Sequence, residues 1–199
     1  SKFTVNEEWL RDPIGHVRIS LETLNRPSLH GLLIHNSADF ASVDASRLAA
    51  ALDRIKEAGL VSHFGVSVYD ETELRGWLDV LPQIDILQVP GNLFDRRLLD
   101  SALVESLSEG GAQIHVRSAF LQGALLADPD QLPAHLDGLA EEIARLESAC
   151  RERGVTRSVA ALSAVRFHPV VDSVIVGAIS EAQVEALMGA WSSADPEWG

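Results

Sequence analysis

A short apolar segment that ends abruptly in polar residues constrains the fold more than any other part of the sequence. Residues 31–34 read Gly-Leu-Leu-Ile and are followed directly by His35 and Asn36. Strands of a parallel sheet that is covered on both faces are continuously apolar, whereas half-exposed strands alternate. A polar residue that ends such a strand lies at the carboxyl edge of the sheet, where α/β folds bind their ligands. The segment therefore predicts a buried parallel strand with His35 at a candidate site.

The rest of the chain repeats this unit of strand, polar loop and amphipathic helix, which defines the α/β class. Successive strands joined by helical crossovers are parallel and form either a doubly wound sheet or a barrel. No glycine-rich phosphate fingerprint follows an early strand, so we favour a (β/α)8 TIM-type barrel and expect residues 1–199 to form one domain. Further strands are predicted at 61–68, 84–89, 113–116 and 171–176. Helices are predicted to begin after Asp12, Asp44, Asp70 and Ser180, and to span 96–108, 136–153 and 156–166. Residues 124–135 are predicted to form a loop.

Charge and composition narrow the classes of partner and compartment. The net charge of −13 argues against nucleic acid and anionic membranes as partners. The longest apolar runs are far shorter than the ~20 residues that a membrane span requires. The single cysteine, Cys150, lies on an apolar helical stripe and cannot form an internal disulfide. We therefore expect a buried thiol and a cytoplasmic protein.

Polar residues follow several predicted strands, as they do around the active site of a barrel. Each has a simpler interpretation, because His35 could bond a neighbouring loop and Arg117 could form a surface ion pair. Ser180 and Gln183 could satisfy each other as a capping box, although a helix N-terminus also binds anions. No histidine spacing typical of a metal site is present, so no metal is expected. The candidates at strand ends are His35, Asn36, Ser67, Gln88, Asn92, Arg117, Ser118, Gly177 and Ser180.

In this order along the chain, the segments together resemble those of the aldo-keto reductases. Residues 55–67, IKEAGLVSHFGVS, are similar to that family's segment K-x-G-x-x-x-x-x-G-V-S, and residues 88–95 resemble its strand end Q-x-x-x-N. Residues 31–36 resemble the strand that carries the family's active-site histidine. Residues 117–123 resemble its cofactor-straddling loop, and residues 173–183 its last strand and helix start.

The resemblance implies NAD(P)H-dependent reduction of the carbonyl group of a small aldehyde or ketone. On this basis His35 orients the carbonyl and tunes the acid that protonates its oxygen. Ser67 and Gln88 hold the nicotinamide carboxamide, and Lys2 corresponds to a lysine that supports the acid. The resemblance implies that two further segments bind the pyrophosphate and the adenosine ribose. The first contains Arg117, Ser118, Leu121 and Gly123. The second contains Gly177, Ser180 and Gln183.

The sequence departs from the family pattern at three places. The family's proton donor is a tyrosine on an early strand, supported by an aspartate, but the only tyrosine here is Tyr69. Val68 stands where the family usually has an asparagine, which removes one contact to the carboxamide. Glu181 stands near the position that often carries a basic residue for a 2′-phosphate. We therefore expect NADH to be favoured over NADPH.

The resemblance also predicts a barrel that is incomplete at the N-terminus. A (β/α)8 barrel takes ~250 residues, and an open parallel sheet exposes strand edges. An upstream segment, a second copy of the chain in a homo-oligomer, or a tolerated open sheet would each resolve this, and we favour the first. Without the tyrosine, these residues alone are expected to have no appreciable reductase activity. The alternatives are a non-catalytic truncated barrel that binds a nucleotide or a protein, and a different barrel enzyme, such as a lyase, that uses His35 and Arg117.

Overall fold

The structure, a computed structural model, describes residues 1–35, 40, 43–129, 132 and 134–198. These residues form a six-stranded sheet in which the strands follow one another in sequence order. The pairs β1–β2, β2–β3, β3–β4 and β5–β6 are parallel. A doubly wound sheet reverses its strand order at a switch point, so the unbroken order confirms the predicted barrel-type fold. The strands are β1 (Lys2–Phe3), β2 (Leu29–Ile34), β3 (Val61–Ser67), β4 (Ile86–Pro90), β5 (Gln113–Arg117) and β6 (Ser173–Val174).

Side-chain caps fix the starts of four helices, and these predicted caps are confirmed. Asp12, Asp44, Asp70 and Ser180 each accept a hydrogen bond from a backbone N–H in the first turn of the helix that follows. Within the described part of the chain, no helix is long and apolar enough to cross a membrane. The helices are α1 (Glu7–Arg11), α2 (Pro13–Leu24), α3 (Ala45–Glu57), α4 (Glu71–Val80), α5 (Ala102–Glu109), α6 (Ala140–Arg153), α7 (Arg157–Arg166) and α8 (Glu181–Ser192).

Four predicted boundaries are wrong, and turns or 3₁₀ helices replace the predicted structure in the first three. The helix predicted from residue 96 begins only at Ala102, since hydrogen bonds from Asp100 N–H to Arg96 O and from Ser101 N–H to Leu98 O close separate turns before it. The helix predicted from residue 136 begins at Ala140, after a 3₁₀ helix over Ala134–Leu139, and the predicted loop 124–135 overlaps another over Leu121–Leu126. The last strand is limited to Ser173–Val174.

The chain divides into two compact units, residues 1–89 with 102–114 and residues 90–101 with 115–199. In the first unit, Trp77 and Leu74 of α4 are fully buried together with core residues of β2 and α3. In the second unit, Cys150 packs with Ile143 and Leu146 in an apolar cluster. The prediction of a buried cysteine is therefore confirmed, and burial raises the pKa of its thiol because a thiolate is poorly solvated there.

A histidine–aspartate pair holds the turns before α5 in the second unit. His168 Nε2 lies 3.0 Å from Asp100 Oδ1, and the imidazole is buried while the carboxylate is half exposed. His168 Nδ1 is buried and has no hydrogen-bond partner among the described residues. The hydrogen bond from His168 is the main cause that lowers the pKa of Asp100. The ionised form of Asp100 is therefore the form that stabilises this pair.

We expect Asp100→Asn to lower the free energy of unfolding at neutral pH by less than about 1 kcal/mol, because the carboxylate is largely exposed. A lowered pKa in the folded state means that the stabilisation is present above the unfolded-state pKa of about 3.9. The stabilisation is lost as the pH falls through the pKa of Asp100 in the folded state, which lies below the unfolded-state pKa. Urea unfolding between neutral and acidic pH should therefore show the two proteins converging on acidification, and a constant difference at all pH values would contradict this role.

Candidate active site

Three predicted site residues lie at the carboxyl ends of adjacent strands. The register pairs Ile34 of β2 with Val66 of β3, so His35 and Ser67 are the next residues along these two strands. Ser67 is paired with Gln88 of β4. Side chains alternate between the faces of a strand, and matched positions of parallel neighbours share a face. His35, Ser67 and Gln88 therefore belong to one face at one edge of the sheet.

A chain of hydrogen bonds joins the polar side chains of this edge. Lys2 Nζ, from β1, donates to Ser67 Oγ at 3.2 Å, and Ser67 Oγ donates to Gln88 Oε1 at 3.3 Å. Ser67 and Gln88 are almost completely buried, at 2% and 4% exposure. Gln88 Nε2 has no hydrogen-bond partner among the described residues. This amide nitrogen therefore keeps donor capacity for a polar group of a ligand.

His35 differs from its neighbours because its side chain is exposed to solvent. Its backbone N–H donates to Phe3 O at 2.8 Å, which continues the pairing of β1 with β2 by one residue. The backbone of His35 is thus fixed while its imidazole remains accessible to a small molecule. Asn36, the other candidate on this strand end, lies outside the described residues.

Asn92 has a structural explanation. Its side chain is 2% exposed, and Oδ1 accepts hydrogen bonds from the backbone N–H groups of Phe94 and Asp95. This is the local pattern by which asparagine stabilises a turn. The structure therefore gives Asn92 a role in the turn after β4 that needs no ligand.

An unusual backbone conformation marks the loop after β5 in the second unit. Ser118, Leu121 and Gln122 have positive φ angles of 64°, 48° and 56°, and Gly123 has 94°. Non-glycine residues in this region are uncommon, and such residues concentrate at functional sites. Arg117 Nη1 lies 3.5 Å from Ser118 Oγ, and Arg117 O accepts a hydrogen bond from Gly91 N–H. The loop therefore has a backbone conformation that non-glycine residues seldom adopt.

This loop and the start of α8 line a cavity of about 550 Å³ within the second unit. Its size is typical of small-molecule sites. It brings together four of the predicted residues, Ser118, Gly123, Gly177 and Gln183. The other predicted residues of these two segments, Arg117, Leu121 and Ser180, lie within three positions of one of these four in the chain. Sequence reasoning missed the apolar lining, because apolar side chains carry no strand-end signal; it includes Phe120, Leu126, Ile175 and Leu187.

The capping box predicted at α8 is formed only in part, because the Gln183 side chain bonds the N–H of Ile179 and not that of Ser180. Ser180 Oγ accepts a hydrogen bond from Gln183 N–H at 3.3 Å, and Gln183 Oε1 accepts one from Ile179 N–H at 2.9 Å. A Cβ atom added at Gly177 would meet no other atom within 4 Å, so the backbone there is open to close approach. Among the described residues, no three or more His, Cys, Asp or Glu side chains form a group that could hold a metal ion.

The comparisons with solved structures agree with this architecture. An aldo-keto reductase from Bacillus halodurans in its apo form superposes with a TM-score of 0.72 at 20% identity, covering 96% of this chain and 64% of that one. The holo form gives 0.69 at 21% identity, covering 89% and 60%. A glycerol dehydrogenase from Gluconobacter oxydans gives 0.61 at 16% identity, covering 94% and 65%. At these identities the likeness shows the fold, and this chain spans less than two thirds of the length of each.

The sequence itself carries the family assignment. No curated protein matches it at a significant level. The family model described as "Aldo/keto reductase family", however, matches residues 6–195. That range includes every described strand except β1, and with them His35, Ser67, Gln88 and the cavity-lining loop. The chain therefore belongs to the aldo/keto reductase family.

Proposed function

We propose that this protein is an NAD(P)H-dependent oxidoreductase that reduces the carbonyl group of a small aldehyde or ketone to an alcohol. The observation that carries the proposal is the hydrogen-bonded chain of Lys2, Ser67 and Gln88 beside the exposed His35. NAD(P)H supplies a hydride when bound. A carboxamide offers one acceptor and two donors, and the unpartnered Gln88 Nε2 and the Ser67 hydroxyl are complementary to it. These residues would fix the orientation of the nicotinamide, which decides the ring face that is offered.

His35 is assigned to the substrate. Its accessible imidazole can donate a hydrogen bond to a carbonyl oxygen and so orient and polarise that group. Lys2 supports the site electrostatically, since its ammonium lies at the same edge and favours the ionised form of a neighbouring acid. Both roles are binding and orienting roles, and neither supplies the proton of the reaction.

The second unit is assigned to the rest of the nucleotide. The cavity is lined by the loop of Ser118 to Gly123, with its positive φ angles, and by the open backbone at Gly177. Backbone N–H groups in such segments can bind phosphate. Arg117, Leu121, Ser180 and Gln183 belong to the same two segments. Glu181 begins α8 and would repel a 2′-phosphate. NADH is therefore the proposed cofactor in preference to NADPH.

The proton donor of the family pattern has no counterpart among the residues of this site. Tyr69 is 59% exposed and lies two residues beyond Ser67, where its N–H bonds Glu73 Oε2. We therefore propose that these 199 residues bind the nucleotide but reduce carbonyl compounds poorly by themselves. We further propose that they belong to one barrel domain.

Nucleotide binding tests the proposal directly. We expect NADH to bind the purified chain with enhanced nicotinamide fluorescence, and NADPH to bind at least tenfold more weakly. Ser67→Ala and Gln88→Leu each remove a hydrogen-bonding group at a buried site, a loss of about 1.4 kcal/mol or more. Each variant should therefore weaken NADH binding at least tenfold.

Ser62→Ala is the matched control, because Ser62 is an exposed serine at the opposite end of the same strand. NADH affinity that stays unchanged in both site variants would contradict the assignment of the nicotinamide. Failure of both nucleotides to bind would favour a non-catalytic module that binds a protein. Turnover of a simple aldehyde that depends on His35 would show that the site contains an acid other than the family's tyrosine.

A further inference from the structure

Two histidines meet at the amino-terminal end of the sheet, away from the strand ends that carry His35 and Ser67. His30 of β2 and His63 of β3 have ring centres 4.5 Å apart, and their planes are inclined by 42°. His30 is exposed and His63 half-buried. The sequence shows no metal-binding spacing for this pair, because the two residues are 33 positions apart and come together only when β2 pairs with β3. The proposed reductase function does not use either residue.

The hydrogen bonds of the two rings define which nitrogen of each carries a proton. His63 Nδ1 lies 3.0 Å from the backbone oxygen of His30, and a carbonyl oxygen can only accept, so Nδ1 donates. His30 Nε2 lies 3.1 Å from Gln113 Oε1, and by the same reasoning Nε2 donates. In their neutral forms, His63 Nε2 and His30 Nδ1 are therefore unprotonated. Neither of these two nitrogens has a hydrogen-bond partner among the described residues.

Two features of this pair are typical of histidines that bind a metal. A ligating imidazole normally donates its other N–H to a carbonyl or carboxylate oxygen, which fixes the tautomer and the ring orientation. With a metal–nitrogen distance of about 2.0–2.1 Å, two imidazoles that share one ion at a right or tetrahedral angle have ring centres roughly 4.5–5.2 Å apart. The observed separation of 4.5 Å falls in that range.

We propose that His30 and His63 form a two-imidazole binding site for a divalent first-row transition metal, represented by Zn²⁺, with water completing the coordination. Imidazole nitrogen suits zinc, copper and nickel better than magnesium or calcium, which prefer oxygen. The net charge of −13 further attracts cations to this protein. Gln113 is a positioning residue, because it holds the His30 ring through Nε2.

Zn²⁺ titration of the purified, untagged chain near neutral pH, followed by calorimetry, tests the site. We expect one Zn²⁺ per chain, and at least tenfold weaker binding in each of His30→Asn and His63→Asn. Gln113→Leu removes the acceptor for His30 and should weaken binding about tenfold, whereas Gln113→Glu should restore or strengthen it, since outer partners change affinity 10–100-fold. His16→Asn, a partly exposed histidine of α2, is the control and should bind as the wild type does.

A second measurement keeps the test independent of the folding of any variant. Nitrogen-15 spectra of labelled histidine in the wild type should show Zn²⁺ shifting His30 Nδ1 and His63 Nε2. No Zn²⁺ binding, binding that survives both histidine substitutions, or shifts confined to other histidines would each overturn the proposal.

Discussion

Replacing Gly65 by alanine is expected to destabilise the protein by about 3 kcal/mol or more, because the new methyl group would enter the backbone of the next strand. A Cβ atom at Gly65 would lie 1.8 Å from Ile86 O and 2.7 Å from Ile86 C. The register pairs Gly65 with Ile86, so the carbonyl cannot retreat without opening the β3–β4 pairing. Since Ser67 and Gln88 face each other two residues further along these strands, the candidate site would open with it. Urea unfolding followed by far-UV circular dichroism measures the loss.

Two other glycines provide controls, because a methyl group added at either of them would not meet the backbone of a neighbouring strand. At Gly31 the added Cβ would meet Ile86 Cδ1 at 2.5 Å, which is the far end of a flexible side chain, so Gly31→Ala should have a smaller effect than Gly65→Ala. At Gly189 within α8 nothing lies within 4 Å, and alanine should stabilise the helix by about 0.5–1 kcal/mol. Equal losses at Gly65 and Gly31 would contradict the argument from the backbone clash.

Local signals in the sequence predict the four capped helix starts and the alternation of strands and helices. Asp12, Asp44, Asp70 and Ser180 cap their helices as expected, because a short polar side chain next to an amphipathic segment acts within one turn of chain. The apolar run that ends at Ile34 is a buried strand for a similar reason. The barrel-type fold follows from this alternation, since parallel strands need helical crossovers.

Contacts between distant residues are what the sequence does not predict. The bond from Lys2 to Ser67 joins residues 65 positions apart, and the pairing of His30 with His63 depends on strand register. The sequence does not reveal the turns before α5, because the buried residues Leu98 and Leu99 fit a helical stripe although hydrogen bonds from Asp100 and Ser101 close turns there. The positions of Ser67 and Gln88 follow from the pairing of β3 with β4. The role of each candidate site residue is a proposal.

The packing of Phe40 against α4 gives a prediction in which the sign of one substitution reverses. Phe40 lies five residues after His35, and its ring contacts Trp77 at a centroid distance of 6.4 Å. A Cβ atom at Gly76 would lie 2.4–2.5 Å from three atoms of the Phe40 ring. Glycine inside a helix is intrinsically unfavourable by roughly 0.5–1 kcal/mol relative to alanine. Gly76 is therefore explained by the space that Phe40 occupies.

In the wild-type background, Gly76→Ala is expected to lower the free energy of unfolding by about 1–3 kcal/mol, because overpacking outweighs the gain in helix propensity. In a Phe40→Ala background the same substitution should raise it by roughly 0.5–1 kcal/mol, since the ring is gone and only the propensity remains. The double-mutant cycle, measured by urea unfolding, should thus give a coupling above about 1 kcal/mol, as expected for residues in direct contact. Gly189→Ala, which meets no neighbour, should have the same effect in both backgrounds. If Gly76→Ala changes stability equally in the two backgrounds, the Phe40 ring is not the reason that position 76 requires glycine.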